Sequence, residues 1–281
     1  MNQQILLVTG MMLVAALAHA AWNVLLKDAH DPLRLATRSV AASAVMMAPL
    51  GGAYWVLAGH PALSKAAAMI AAVSAVVELA YFVFLSAGYR RGELSVVYPI
   101  ARGTAPVLAV LSGIVLLGER LAALQLAGVV LMLVGLWLAR RPAGAGAGVL
   151  PALAAGVTIA TYTSLDRVGV RLADPLLYAW LLWTMIAVCL LAFAALRATT
   201  DAPPPSWGQS AVTGGLMTIA YVLVLVALRM APLAAVAPLR EGGIVLVSAW
   251  VVWRGGERQA SVSRLAGAGA IVAGVTLLAL R

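Results

Sequence analysis

Cysteine, histidine, phenylalanine and charge are all scarce in this chain of 281 residues: one Cys, three His, three Phe, and only 10% Asp, Glu, Lys and Arg. The single thiol, Cys189, lies in an apolar run, which excludes a disulfide framework and most zinc or iron–sulfur sites. His19, His30 and His60 are scattered, so no metal cluster and no Ser–His pair emerges from which a membrane-embedded enzyme would work. The absence of a P-loop argues against ATP hydrolysis within the chain. No cofactor and no metal is expected. The deficit of charge decides the broad class. Soluble domains are about half apolar and about a quarter charged. Here 63% of residues are hydrophobic and the mean hydropathy is +1.00, which excludes a soluble globular fold and a disordered chain alike.

What is abundant is apolar sequence in long runs. A membrane-spanning helix needs about 20 mostly apolar residues. Ten runs qualify: 4–26, 33–58, 66–88, 94–117, 121–139, 148–169, 174–196, 208–230, 233–254 and 262–280. Between them stand turn-forming groups such as Asp31-Pro32, Gly59-His60-Pro61, Asp174-Pro175 and Pro203-Pro204-Pro205. The first run has no charged leader ahead of it and no cleavage site before a soluble domain, so it reads as a retained helix. The net charge of +9 is spread along the chain as positive flanks of membrane helices, which argues against nucleic acid as a partner.

The two halves echo one another. Asp31-Pro32-Leu33 after run 1 recurs as Asp174-Pro175-Leu176 after run 6. Tyr98-Pro99-Ile100-Ala101-Arg102-Gly103 in run 4 is echoed by Ala237-Pro238-Leu239-Arg240-Glu241-Gly242 in run 9, and Gly118-Glu119-Arg120 by Gly256-Glu257-Arg258. Five runs per half is an odd number, so the second half enters the membrane upside down. The expected fold is an all-α membrane protein of ten transmembrane helices in two inverted five-helix repeats, 1–141 and 142–281.

Pro106 through Gly135 carries a proline in run 4, an apolar stretch, Gly-Glu-Arg, and then a glycine-rich run with Gly128 and Gly135; Leu233 to Gly274 repeats the pattern with Gly267 and Gly274. The whole resembles the drug/metabolite transporter superfamily, EamA type. That resemblance implies a carrier of small metabolites in the cytoplasmic (inner) membrane, with a central cavity lined by helices 1, 3, 4, 6, 8 and 9. It also implies homodimer contacts through helices 5 and 10.

Ionisable groups deep in a bilayer cost several kcal/mol, so they face a cavity or a partner and mark function. Glu78 falls mid-run in run 3, Arg102 in run 4, and Arg240 with Glu241 in run 9. His19, Trp22 and Asn23 share a face of run 1, and Thr158, Thr161 and Tyr162 a face of run 6. With Tyr81, Phe82, Tyr98 and Tyr221 as aromatic lining, these form the candidate substrate site; the alternatives are buried ion pairs, such as Arg102 with Glu78, and ordinary helix packing. Glu78 is the candidate for proton coupling, since burial favours a neutral carboxyl and a nearby arginine a charged one. Pro99 and Pro238 are expected to kink their helices beside the site. Glu119 and Glu257 read as loop residues, and Lys27, Arg34 and Arg38 as headgroup contacts.

The charge of this site is nearly balanced, which suits a polar metabolite, zwitterions included, moved by alternating access, better than a bulky lipophilic cation; an arginine pair equally suits a carboxylate or phosphonate. The alternative on the same fold is a flippase for a lipid-linked sugar or other amphiphile. Lys and Arg are denser after runs 1, 3, 5, 7 and 9, which places both termini outside; the resemblance implies both in the cytoplasm.

Overall fold

The computed structural model describes residues 3–139, 146–196 and 203–240, together with residues 266–267, 269–270, 273–274 and 276–277. The described residues are helical or loop, with no strand among them. The helices are α1 (Gln3–Lys27), α2 (Pro32–Leu57), α3 (Lys65–Arg91), α4 (Leu94–Val115), α5 (Ala123–Ala139), α6 (Val149–Leu172), α7 (Pro175–Ala195), α8 (Trp207–Met230) and α9 (Leu233–Arg240). Seven of them, α1 to α4 and α6 to α8, are long and apolar enough to cross a membrane. The four described pairs within 266–277 are also helical, and Gly267 and Gly274 there are buried, as are Gly128 and Gly135 of α5.

The turn motifs act as helix starts. Asp31 Oδ1 accepts from the amides of Leu33 and Arg34, and Asp174 Oδ1 from that of Leu176, each with proline at the first helical position. Asp174 Oδ2 also accepts the Tyr54 hydroxyl at 2.9 Å. Ser64 and Ser206 cap α3 and α8 in the same way, through the amides of Ala67 and Gln209. Thus the caps of α2 and α3 recur at α7 and α8 with the same residue types.

Packing runs mainly between the halves. Helix α3 lies on α6 and α7, α4 on α6 and α9, α1 on α8, and α2 on α7 and α8. Close approach demands small residues. A Cβ on Gly214 of α8 would strike the Ser39 carbonyl of α2, and one on Gly169 of α6 would overlap the Tyr178 ring. The outer surface is apolar, with Leu17, Val45, Met69, Val115 and Val188 exposed, as a lipid-facing surface requires. Polar side chains such as Asn23, Glu78, Arg102, Asp166 and Arg240 are instead buried.

Replacing Gly169 by Ala is expected to lower stability by about 1–3 kcal/mol, the usual cost of overpacking. Gly215→Ala, where nothing lies within 4 Å of the added Cβ, should cost nothing. Thermal unfolding of the detergent-purified proteins reads both; equal midpoints for the two variants would refute the close-contact account.

Candidate functional site

The most enclosed polar cluster is centred on Asp166 of α6. The Ser74 hydroxyl of α3 and the Tyr178 hydroxyl of α7 each donate to Asp166 Oδ1 at 2.7 Å, and the Tyr221 hydroxyl of α8 donates to Oδ2. One carboxylate thereby ties four helices, and Tyr178 reaches it by lying across Gly169. Glu78 stands one turn beyond Ser74 on α3, and its charged neighbours are Asp166 and Arg240 of α9. Glu78 Oε1 has no hydrogen-bond partner among the described residues, although the residue is only 3% exposed.

Aromatic rings continue outward from this centre. Tyr162, one turn before Asp166, meets Tyr81 edge-on at 5.6 Å and Tyr221 at 5.8 Å; Trp183 of α7 meets Tyr221 at 6.2 Å. Tyr81 touches Phe82, Phe82 touches Trp22, and Trp22 touches His19, so a chain of rings joins α7 to α1. At its α1 end the Asn23 amide donates to the His19 carbonyl at 2.7 Å and accepts the Tyr89 hydroxyl of α3 at 2.6 Å. His19 Nδ1, Trp22 Nε1 and Trp183 Nε1 are buried without hydrogen-bond partners among the described residues. The Arg102 guanidinium lies 5.7 Å from the Tyr98 ring centroid and close to Tyr162.

The site residues expected from the sequence, His19, Trp22, Asn23, Glu78, Tyr81, Tyr98, Arg102, Tyr162, Tyr221 and Arg240, are therefore all buried, and most join the ring chain or the carboxyl centre. Glu241 and the Gly256-Glu257-Arg258 motif lie outside the described residues, as do the side chains of Pro99 and Pro238 within α4 and α9. Thr161 is exposed, with its hydroxyl on the Val157 carbonyl, and stands off the cluster. Sequence reasoning missed Asp166, Ser74, Tyr178 and Trp183. The signal for Asp166 was present: it follows Tyr162 by four residues on the same face and interrupts an apolar run. Among the described residues no three His, Cys, Asp or Glu side chains converge as metal ligands.

Three side chains near helix ends make contacts that the sequence did not show, and Glu119 makes its own from the loop after α4. Glu119 is no simple loop residue: Oε1 accepts the Leu233 amide at 2.8 Å and Oε2 the Ala234 amide at 2.9 Å, so it caps α9 from across the fold. It also pairs with Arg167 of α6 at 3.5 Å, and Arg167 donates to the Leu228 carbonyl near the end of α8. A carboxylate at a helix N-terminus meets both orphan amides and the positive end of the dipole. Lys27 is held by the Tyr89 and Gly92 carbonyls at the end of α3, at 2.7 and 2.9 Å, and Arg38 by the Pro205 carbonyl and the Trp207 ring. These two cations serve helix ends and rings within the protein.

Membrane-length helices around a buried centre of acids, arginines and aromatic rings are the build of a multi-pass membrane protein. The sequence matches the model of the EamA-like transporter family twice, over residues 6–141 and 146–280. The chain belongs to that family, and so to the drug/metabolite transporter superfamily. No curated protein matches it. Among 28 matching chains of solved structures, one crystal structure superposes with a TM-score of 0.72 over 96% of this chain and 95% of its own, at 19% sequence identity, a likeness of fold.

Glu119→Ala removes the α9 cap and its ion pair together, and is expected to cost about 1–2 kcal/mol. In a double-mutant cycle with Arg167→Met, the two losses should fall short of additive by at least about 0.5 kcal/mol. Strict additivity in thermal unfolding would show that the pair carries no coupling.

Proposed function

We propose that the protein is a secondary carrier of a small polar, zwitterionic metabolite in the cytoplasmic (inner) membrane, built as ten helices in two inverted five-helix repeats, 1–141 and 142–281. The observation that carries this reading is the buried centre, in which both signs of charge, aromatic faces and unpartnered donors converge from α1, α3, α4, α6, α7, α8 and α9. The acidic side of the centre, at Glu78, suits an ammonium group, and Arg102 suits a carboxylate. The rings from Trp22 to Trp183 suit the substrate's apolar part and its cation face.

Support for the inverted plan comes from the helix pairing. Exchanging α1–α4 with α6–α9 turns the α1–α8 contact into α6–α3, α2–α8 into α7–α3 and α4–α6 into α9–α1, and all of these pairs occur. Such a frame supplies alternating access: rocking one repeat on the other opens the same centre to either side. Glu78 provides the proton coupling. A homodimer through helices 5 and 10 would use the exposed Leu124, Leu126, Val130 and Val134 of α5, because the glycines there are buried within the chain. A lipid-linked substrate finds less support, since Lys27 and Arg38 are engaged internally.

Proteoliposomes preloaded with amino acids, amines, purines or sugars test the carrier reading by counterflow of the labelled solute. One zwitterionic class is expected to exchange, and Glu78→Gln to abolish pH-driven accumulation. Scrambling of a labelled lipid-linked sugar with no solute counterflow would replace this reading by the flippase. For topology, single cysteines at Ala58 and Ala122 in a Cys189→Ser background are probed with an impermeant thiol reagent; the ten-helix plan puts them on the same side, because two spans separate them. Labelling from opposite sides would break the plan.

A further inference from the structure

Asp166 is enclosed by groups that donate hydrogen bonds to it. Ser74 from α3, Tyr178 from α7 and Tyr221 from α8 all direct their hydroxyls at its two oxygens. An acceptor-only carboxylate is the form of the side chain that uses three such donors fully. Among the described residues, the other charged or titratable groups around it are Glu78 of α3, Tyr162 of its own helix and Arg240 of α9; Tyr81 of α3 adjoins Glu78, and Arg102 of α4 adjoins Tyr162. Arg167, next in sequence, turns away to Glu119 and the end of α8.

Glu78 is in the opposite situation. Its Oε1 is buried and has no hydrogen-bond partner among the described residues, and the hydroxyl that its carboxyl meets, that of Tyr221, is one it shares with Asp166. Among the described residues, the two carboxyls share one close guanidinium, that of Arg240. One cation offsets one carboxylate in a dry site; a second negative charge needs a second cation or a proton.

The other half of the fold offers a comparison. Asn23 stands eight residues before Asp31-Pro32, as Asp166 stands eight before Asp174-Pro175. Each accepts a tyrosine hydroxyl from a helix of its own half, Asn23 from Tyr89 of α3 and Asp166 from Tyr221 of α8. The corresponding acceptor is a neutral amide in one half and a carboxylic side chain in the other. The charged version therefore occurs once.

We propose that Glu78 and Asp166 form one binding site for a single exchangeable proton, in which Asp166, held by three hydroxyls, is the fixed anion and Glu78 carries the proton. The Glu78 carboxylate takes up one proton from water on one side and returns it to water on the other, with no other bond made or broken. Arg240 offsets Asp166 throughout. This deepens the carrier reading, on which its use in transport rests, and it assigns one proton per cycle to a site shared between the two halves.

The test is infrared difference spectroscopy of the full chain in phosphatidylethanolamine–phosphatidylglycerol vesicles, between about pH 5 and about pH 9, a window spanning buried carboxyl titrations. The probe is the proton alone. One protonated-carboxyl band is expected in the wild type beyond those of exposed acids. Glu78→Gln should abolish it. Tyr221→Phe, which removes one donor from Asp166 and leaves both carboxyls in place, should shift its midpoint. Asp166→Asn should keep the band with an altered midpoint; should that variant not fold, Tyr221→Phe carries the comparison. Loss of the band in Asp166→Asn with its retention in Glu78→Gln overturns the assignment, as do two such bands or none in the wild type. Solute counterflow with no titrating band sinks the proton site alone, and a titrating band without counterflow sinks the carrier reading alone.

Discussion

A carboxylate placed where no water reaches must be met by donors from the protein, and that requirement organises this bundle. Asp166 is met by hydroxyls from three other helices. Each hydroxyl fixes the rotation and depth of the helix that bears it. The rest follows in sequence: Tyr178 must cross α6, so residue 169 is glycine, and Tyr221 must stand against Tyr162 and Trp183, so the rings line up. The polar interaction is the locator; helix packing, most extensive between α3 and α6, then between α4 and α6 and between α1 and α8, surrounds it.

A second set of polar contacts lies nearer the helix ends and does different work. Glu119, Arg167 and Lys27 each hold backbone groups that a helix terminus leaves open. Water normally serves this purpose at an exposed end. Here the ends of α3, α8 and α9 are met by side chains from other helices, which makes the ends part of the tertiary structure. Cations on carbonyl ends and an anion on an amide end also follow the sign of the helix dipole.

Much of this was legible in the sequence. Apolar runs of spanning length mark α1 to α4 and α6 to α8 to within a few residues, because lipid admits little else. Asp-Pro pairs mark helix starts because cap chemistry is local. Glu78, Arg102 and Arg240 stood out because charge in an apolar run is expensive and conspicuous. Asp166 did not, since it lies nearer the end of its run, where an acid passes for a flank. Glu119 was misread for a related reason: next to Gly118 and Arg120 it looks like solvated turn residue, and the amides it serves lie more than a hundred residues away. Local pattern reports what a residue costs, and long-range partners decide what it does.

The capping of α9 by Glu119 has a consequence for how the molecule is made. A helix whose first amides are met by a distant side chain does not complete its own start. As the chain emerges from the ribosome and enters the bilayer, the segment bearing Glu119 is in place well before Leu233 and Ala234 arrive. The start of α9 therefore cannot be completed before the segment bearing Glu119, made more than a hundred residues earlier, is within reach. The order of the genetic text becomes the order of assembly.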